Sequence, residues 1–159
     1  MLFTGAYEHS IDAKNRLAIP APIRHQLSSG DTSPAFYMHI GQNGSMWLWP
    51  ERTFEKLAGD VEPTLTPSRH VEDFDEVTFP LTHRAELDSA GRVTIPEFML
   101  AEAGLTTKVV ILGMRHHLEI RDPEQWQQRV RQQGPRRSEI ASQAEPEINK
   151  HRSRRSGDS

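Results

Sequence analysis

The feature that most constrains the fold is an internal repeat. Residues 8–20, Glu-His-Ser-Ile-Asp-Ala-Lys-Asn-Arg-Leu-Ala-Ile-Pro, lie without gaps over residues 84–96, Arg-Ala-Glu-Leu-Asp-Ser-Ala-Gly-Arg-Val-Thr-Ile-Pro, 76 positions downstream. Ile11 falls on Leu87, Asp12 on Asp88, Arg16 on Arg92, Ile19 on Ile95 and Pro20 on Pro96. Similarity at one fixed offset marks a duplicated structural unit. A unit of about 45 residues cannot bury enough apolar surface to fold alone, so the two copies are expected to share one core.

Each copy reads as the same string of elements. A short strand (Tyr7 to Ile11; Arg84 to Leu87) meets a polar turn (12–15; 88–91), and an alternating strand follows (Arg16 to Ile19; Arg92 to Ile95), which predicts a hairpin. Asn15 and Gly91, the residue types most tolerant of positive φ, close the two turns. Pro20 and Pro96 suit the first position of short helices over Ala21 to Leu27 and Glu97 to Ala103, the latter capped by Gly104. Phe36 to Ile40 with Met46 to Trp49, and Val109 to Leu112 with His117 to Arg121, read as second hairpins. Helices starting at Pro50 and, behind an Asp122 cap, at Pro123 finish the copies.

The expected fold class is thus mainly β with short helices (α+β), a pseudo-twofold barrel assembled from two related units. The first unit spans 6–54 and the second 83–126. Between them, 55–82 is a linker in which Val71, Phe74 and Val77 mark a weak helical stripe. Residues 127–159 hold the end of the last helix and a tail poor in hydrophobics, expected to be disordered and mildly basic.

Composition excludes several function classes. There is no cysteine, hence no disulfide, thiolate nucleophile or cysteine-bound metal. No catalytic constellation stands out, the eight histidines lack metal-ligand spacing, and no cofactor is called for. The opening residues lack a basic region followed by an apolar run, and no stretch approaches the ~18 apolar residues of a membrane span, so a soluble, unexported, cytoplasmic protein is expected. Net charge is −3, awkward for a nucleic-acid partner, but ten acids against four bases crowd residues 51–88. Lys14 and Arg16 sit together in the first turn, away from that acidic stretch in sequence.

Asp-x-x-x-Arg followed by an apolar residue, one further residue, Ile and Pro, present twice and each time before a short helix, resembles the MraZ branch of the SpoVT-AbrB swapped-hairpin barrels. The opening Phe3 to Asp12 segment, Trp47-Leu-Trp-Pro-Glu51 and Ala103-Gly-Leu105 ahead of a Val-rich strand are similar to that family too. The resemblance covers roughly Leu2 to Arg131, and departs from the family pattern where Asn15 replaces a glycine. It implies a nucleoid-associated transcriptional regulator of the division and cell-wall gene cluster, binding repeated promoter motifs in double-stranded DNA as a homo-oligomeric ring, with no membrane and no small-molecule substrate. Asp12, Lys14, Asn15 and Arg16 of the first copy, and Asp88, Gly91 and Arg92 of the second, are the DNA-binding candidates. An Arg on a turn can offer paired donors to guanine O6 and N7 while the neighbouring Asp holds it in one orientation.

Other readings stay open. The Asp–Arg pairs also suit simple turn-stabilising ion pairs, which would leave a structural ring-forming assembly protein. An antitoxin-like regulator with a protein partner is the further alternative. Trp47 and Trp49, two apart on a strand, face one side and suit either packing or base stacking.

Overall fold

The computed structural model describes residues 1–27 and 34–156; residues 28–33 of the first unit and 157–159 of the tail lie outside the described residues. Up to Pro123 the chain forms one unit whose described residues hold eight strands, β1 (Ala6–Ser10), β2 (Arg16–Ala18), β3 (Ala35–Ile40), β4 (Met46–Pro50), β5 (His83–Glu86), β6 (Arg92–Thr94), β7 (Lys108–Gly113) and β8 (Leu118–Arg121). Between them lie α1 (Ala21–Leu27), α2 (Glu51–Gly59), α3 (Arg69–Thr78) and α4 (Glu97–Glu102).

The strands follow the duplication. Six of them make an antiparallel sheet in the order β1-β7-β8-β4-β3-β5, and β2 pairs with β6 as a separate ribbon. Exchanging equivalent strands of the two copies turns that order into its own reverse, as a pseudo-twofold requires. The ladders agree residue by residue. Arg16 opposes Thr94, Leu17 opposes Val93 and Ala18 opposes Arg92, so the local axis passes through the Leu17–Val93 pair. In the sheet, Met46 opposes Ile120, Trp47 opposes Glu119 and Leu48 opposes Leu118, placing the axis at Trp47–Glu119. The fold is barrel-like, although the six-stranded sheet keeps open edges at β1 and β5 and does not close on itself.

The expected first hairpins are corrected. β1 and β2 touch through a single bridge, Ile11 to Leu17, and β1 instead runs along β7 from Ala6–Leu112 to Ser10–Lys108. β5 likewise pairs with β3 of the other copy. The alternating pattern fixes which face of a strand is buried but not its neighbour, and exchange between copies merges two insufficient cores into one. That core is apolar: Phe3, Leu17, Phe36, Met38, Met46, Leu48, Val93, Met99, Ile111, Leu118 and Ile120 are all fully buried. Side chains of this size each stabilise by about 1.5–3 kcal/mol on burial.

Helix ends follow local chemistry. Pro96 and Pro50 precede their helices as caps, with ψ of 138° and 136°, rather than occupying the first helical position, because the chain is still extended there. Gly104 (φ +65°) ends α4 in a Schellman motif, its N–H on Ala101 O and that of Leu105 on Leu100 O. The helical stripe expected in the linker is α3, capped by Ser68, whose Oγ accepts from the Val71 N–H at 3.3 Å. Val71, Phe74 and Val77 remain exposed.

Residues from Glu124 form a second unit, with α5 (Pro123–Gln133), a 3-10 turn and α6 (Arg137–Ser156). This corrects the disordered tail. Low hydrophobicity precludes a packed core, not a helix, and Glu, Gln, Ala and Arg are good helix formers. Pairs such as Arg136–Glu139 (3.2 Å) and Lys150–Glu147 (2.9 Å) support it along its exposed surface. Among the described residues no helix is long and apolar enough to cross a membrane.

Candidate nucleic-acid interface

The two Asp-x-x-x-Arg turns are built alike, atom for atom. In the first, Asp12 Oδ1 accepts from the backbone N–H groups of Lys14 and Arg16, both at 2.9 Å, and Oδ2 accepts from Arg16 Nε at 2.7 Å. In the second, Asp88 Oδ1 accepts from the N–H groups of Ala90 and Arg92, both at 2.9 Å, and Oδ2 from Arg92 Nε at 2.9 Å. The backbone N–H groups of Arg16 and Arg92 are the largest influence on the Asp12 and Asp88 carboxyls; desolvation opposes them, and the guanidinium and the Lys14 and Ala90 N–H groups add to them, so both carboxyls lie below the usual carboxylate range. Each Asp takes only one of its arginine's five N–H donors. The side chains stay about a third exposed, 29% for Arg16 and 33% for Arg92.

Asn15 and Gly91 sit at φ +58° and +74°. That left-handed step turns each carbonyl outward to the opposite copy: Ile95 N–H donates to Asn15 O at 2.8 Å, and Ile19 N–H to Gly91 O at 2.9 Å. The turns therefore clasp one another across the β2–β6 ribbon and form one double loop. Lys14 is exposed at the tip of the first turn, while the second offers Ser89 and Ala90 at the equivalent places.

This arrangement accompanies a family match over nearly the whole chain. Residues 2–69 and 79–145 match the family model described as "MraZ protein, putative antitoxin-like". The chain belongs to the MraZ family. A Mesoplasma florum protein named "Transcriptional regulator MraZ" is 30% identical over 150 residues, 94% of this chain and all of that protein. Relatives of the same name in Roseiflexus castenholzii and Thermobifida fusca are 34% and 29% identical, over 79% and 92% of this chain and 85% and 99% of theirs. The name is that of a regulator and not of an enzyme. The match runs past Arg131 into α6, further than the resemblance read from the sequence.

A second polar cluster of this MraZ chain was not legible in its motifs. On the sheet face opposite the core, Glu119 is 2% exposed yet carries Arg121 (Nε, 2.9 Å), His117 (3.1 Å), Ser45 Oγ (2.9 Å) and Asn43 (3.2 Å). Burial alone would raise its pKa, but the hydrogen bonds from His117, Arg121 and Asn43 and the Arg121 charge prevail and hold it at about 2. The one signal in the sequence was a His-x-Glu-x-Arg alternation over 117–121. Trp47 and Trp49 do share a face: His117 stacks on both, at centroid distances of 4.3 and 4.5 Å. Their indole N–H groups are satisfied, Trp47 by Asn43 and Ser45 at 3.1 Å and Trp49 by His39 Nε2 at 3.0 Å. Both are half-buried, which favours packing over base stacking.

Beside them opens a cleft of about 970 Å³, lined by Trp47, Trp49, Phe54, Phe74, Phe79 and Phe98 among others. Phe74 is 53% exposed and Val77 67%. Among the described residues no group of three or more His, Asp or Glu side chains could hold a metal ion.

Proposed function

We propose that this MraZ chain is a sequence-specific regulator of transcription that binds double-stranded DNA through its double loop. The observation that carries the reading is the pair of identically clamped arginines, Arg16 and Arg92, presented on one ribbon. A guanidinium held by a carboxylate is preorganised for a guanine edge, Lys14 suits a phosphate, and Asn15 and Gly91 give the turns their shape. Asp12 and Asp88 orient rather than touch the bases. The target follows from the family resemblance: repeated promoter motifs of the division and cell-wall gene cluster, read by a protein of the cytoplasm and nucleoid.

One double loop makes few contacts, so the reading includes a homo-oligomer, ring-shaped, that sets several loops on successive repeats. Large exposed apolar side chains around the cleft support an association surface. In sedimentation velocity, Phe74→Glu is expected to shift the protein to smaller species with an unchanged circular dichroism spectrum, and to weaken promoter binding by about 10²-fold through lost multivalency. Unchanged size would exclude this cleft as the subunit contact.

The decisive test is titration of the protein against a labelled duplex from upstream of its own gene and a scrambled duplex, over a range of salt. Preference for the promoter with a log–log salt slope of about −0.9 per neutralised phosphate supports the regulator. Equal binding to both would return the turns to a structural role.

A further inference from the structure

Two differences between the copies, one in the turn and one in the helix that follows, are coupled. Where the first turn has Asn15, the second has Gly91, and where α1 carries Arg24, the equivalent place in α4 is Leu100. Leu100 packs against the core. Arg24 does something else: a Cβ built on Gly91 would lie 2.6 Å from its Cδ and Nη1 and 2.9 Å from its Cζ. The guanidinium of one copy's helix thus rests on the backbone of the other copy's turn, in the space that a side chain at that position would fill. Asn15 needs no such vacancy because the first turn has its own tip cation, Lys14. The second turn has none, its tip being Ser89 and Ala90.

We propose that Arg24 is a fourth cation of the DNA-contacting surface, beside Lys14, Arg16 and Arg92, lent by the first copy to the turn of the second, where it meets a phosphate. The proposal rests on the DNA-binding reading of the double loop and adds to it a residue that lies outside the Asp-x-x-x-Arg motif. Arg24 is partly exposed, and its location on the Gly91 backbone sets it beside the Asp88–Arg92 clamp. A planar guanidinium supported along its stem is suited to a phosphate oxygen pair. The double loop then presents one phosphate-type cation per turn, Lys14 on the first and Arg24 on the second, flanking the paired base-reading arginines. It also accounts for the glycine that closes the second turn where the first has Asn15: at Gly91 the missing side chain makes room for Arg24, and at Asn15 no room is required.

Three variants test it, each titrated over a salt series against both the promoter and the scrambled duplex. Arg24→Met keeps most of the packing stem and removes the charge; it is expected to weaken promoter binding about tenfold and to flatten the log–log salt slope by about 0.9, on both duplexes. Arg24→Lys is expected to recover the slope. Gly91→Asn, the first copy's solution to the same backbone, displaces the guanidinium and should reproduce Arg24→Met, with no added loss in the double variant. Size-exclusion volume and melting temperature of Arg24→Met should match the parent protein. Arg24→Met binding with parental affinity and slope would overturn the proposal. So would a weaker affinity with an unchanged slope, which would make Arg24 a prop for the turn without a phosphate contact. If the parent protein fails to prefer the promoter, the regulator reading falls, and the slopes on scrambled DNA still decide the role of Arg24.

Discussion

Glu119→Ala is expected to destabilise the fold by about 3 kcal/mol, the low end of the range for breaking a buried ion pair. The low end applies because Arg121 retains 20% exposure and can turn toward water once its partner is gone. His117, at 12%, is left stacked between two tryptophans without its acceptor. Asn43 and Ser45 lose the same oxygen. Chemical denaturation followed by tryptophan fluorescence measures this directly, since Trp47 lies over the site. Glu119→Gln, which keeps an acceptor and the side-chain shape, should lose less. The pH dependence has a definite sign. The folded pKa of about 2 lies below the ordinary 4.5, so the carboxylate stabilises the fold above pH 4.5 and that contribution fades as pH falls toward 2. The stability gap between the parent protein and Glu119→Gln should therefore be constant near neutrality and narrow through this acid range. A gap independent of pH would remove the charged cluster as its source.

Arg16→Ala is expected to lower promoter affinity by about 10²-fold, since a bidentate arginine–guanine contact is worth roughly 1–3 kcal/mol and an oligomer loses it at every loop. The fold should survive, because the Arg16 side chain lies outside the core, 29% exposed, and the buried Leu17 beside it is untouched. Asp12→Asn separates orientation from charge: it keeps an acceptor for the two backbone N–H groups but loosens the guanidinium, so it should fall between the parent protein and Arg16→Ala. Arg92→Ala should follow the same direction on the second turn. Parental promoter affinity in Arg16→Ala, with unchanged oligomer size, would reduce both clamps to fasteners of the hairpin turn.

How much of this the sequence carries depends on how local each cause is. The Asp12–Arg16 clamp and the positive φ of Asn15 and Gly91 were readable because everything that sets them lies within five residues. The duplication was readable because Ile11, Asp12, Arg16, Ile19 and Pro20 hold their register with the second copy. Strand partnership was not, for a strand such as Ala6–Ser10 shows which side chains turn inward and nothing about which edge lies beside it. Glu119 was hidden by the same alternation, since a charged residue between Leu118 and Ile120 reads as solvent-facing until Asn43 and Ser45 of the β3–β4 turn and Trp47 of β4 are brought over it. Arg24 could be seen as a basic residue on a short helix, but Gly91 lies 67 residues away and only the exchange of strands brings them together.

The mirror-ordered sheet also has a consequence for synthesis on the ribosome. The first copy emerges able to close the β3–β4 hairpin, but β7 and β5, which pair with β1 and with the other edge of β3, lie far downstream, so β1 and that edge wait unpaired. At roughly 5–20 residues per second, the interval between β2 and β6 lasts several seconds. During that time a nascent first half exposes open strand edges complementary to those of any second half, its own or a neighbour's. The tether to its own second half supplies the nearest match. A messenger truncated after the first copy would yield a fragment with unsatisfied edges, one that invades intact chains as a competitor for their β7 and β5.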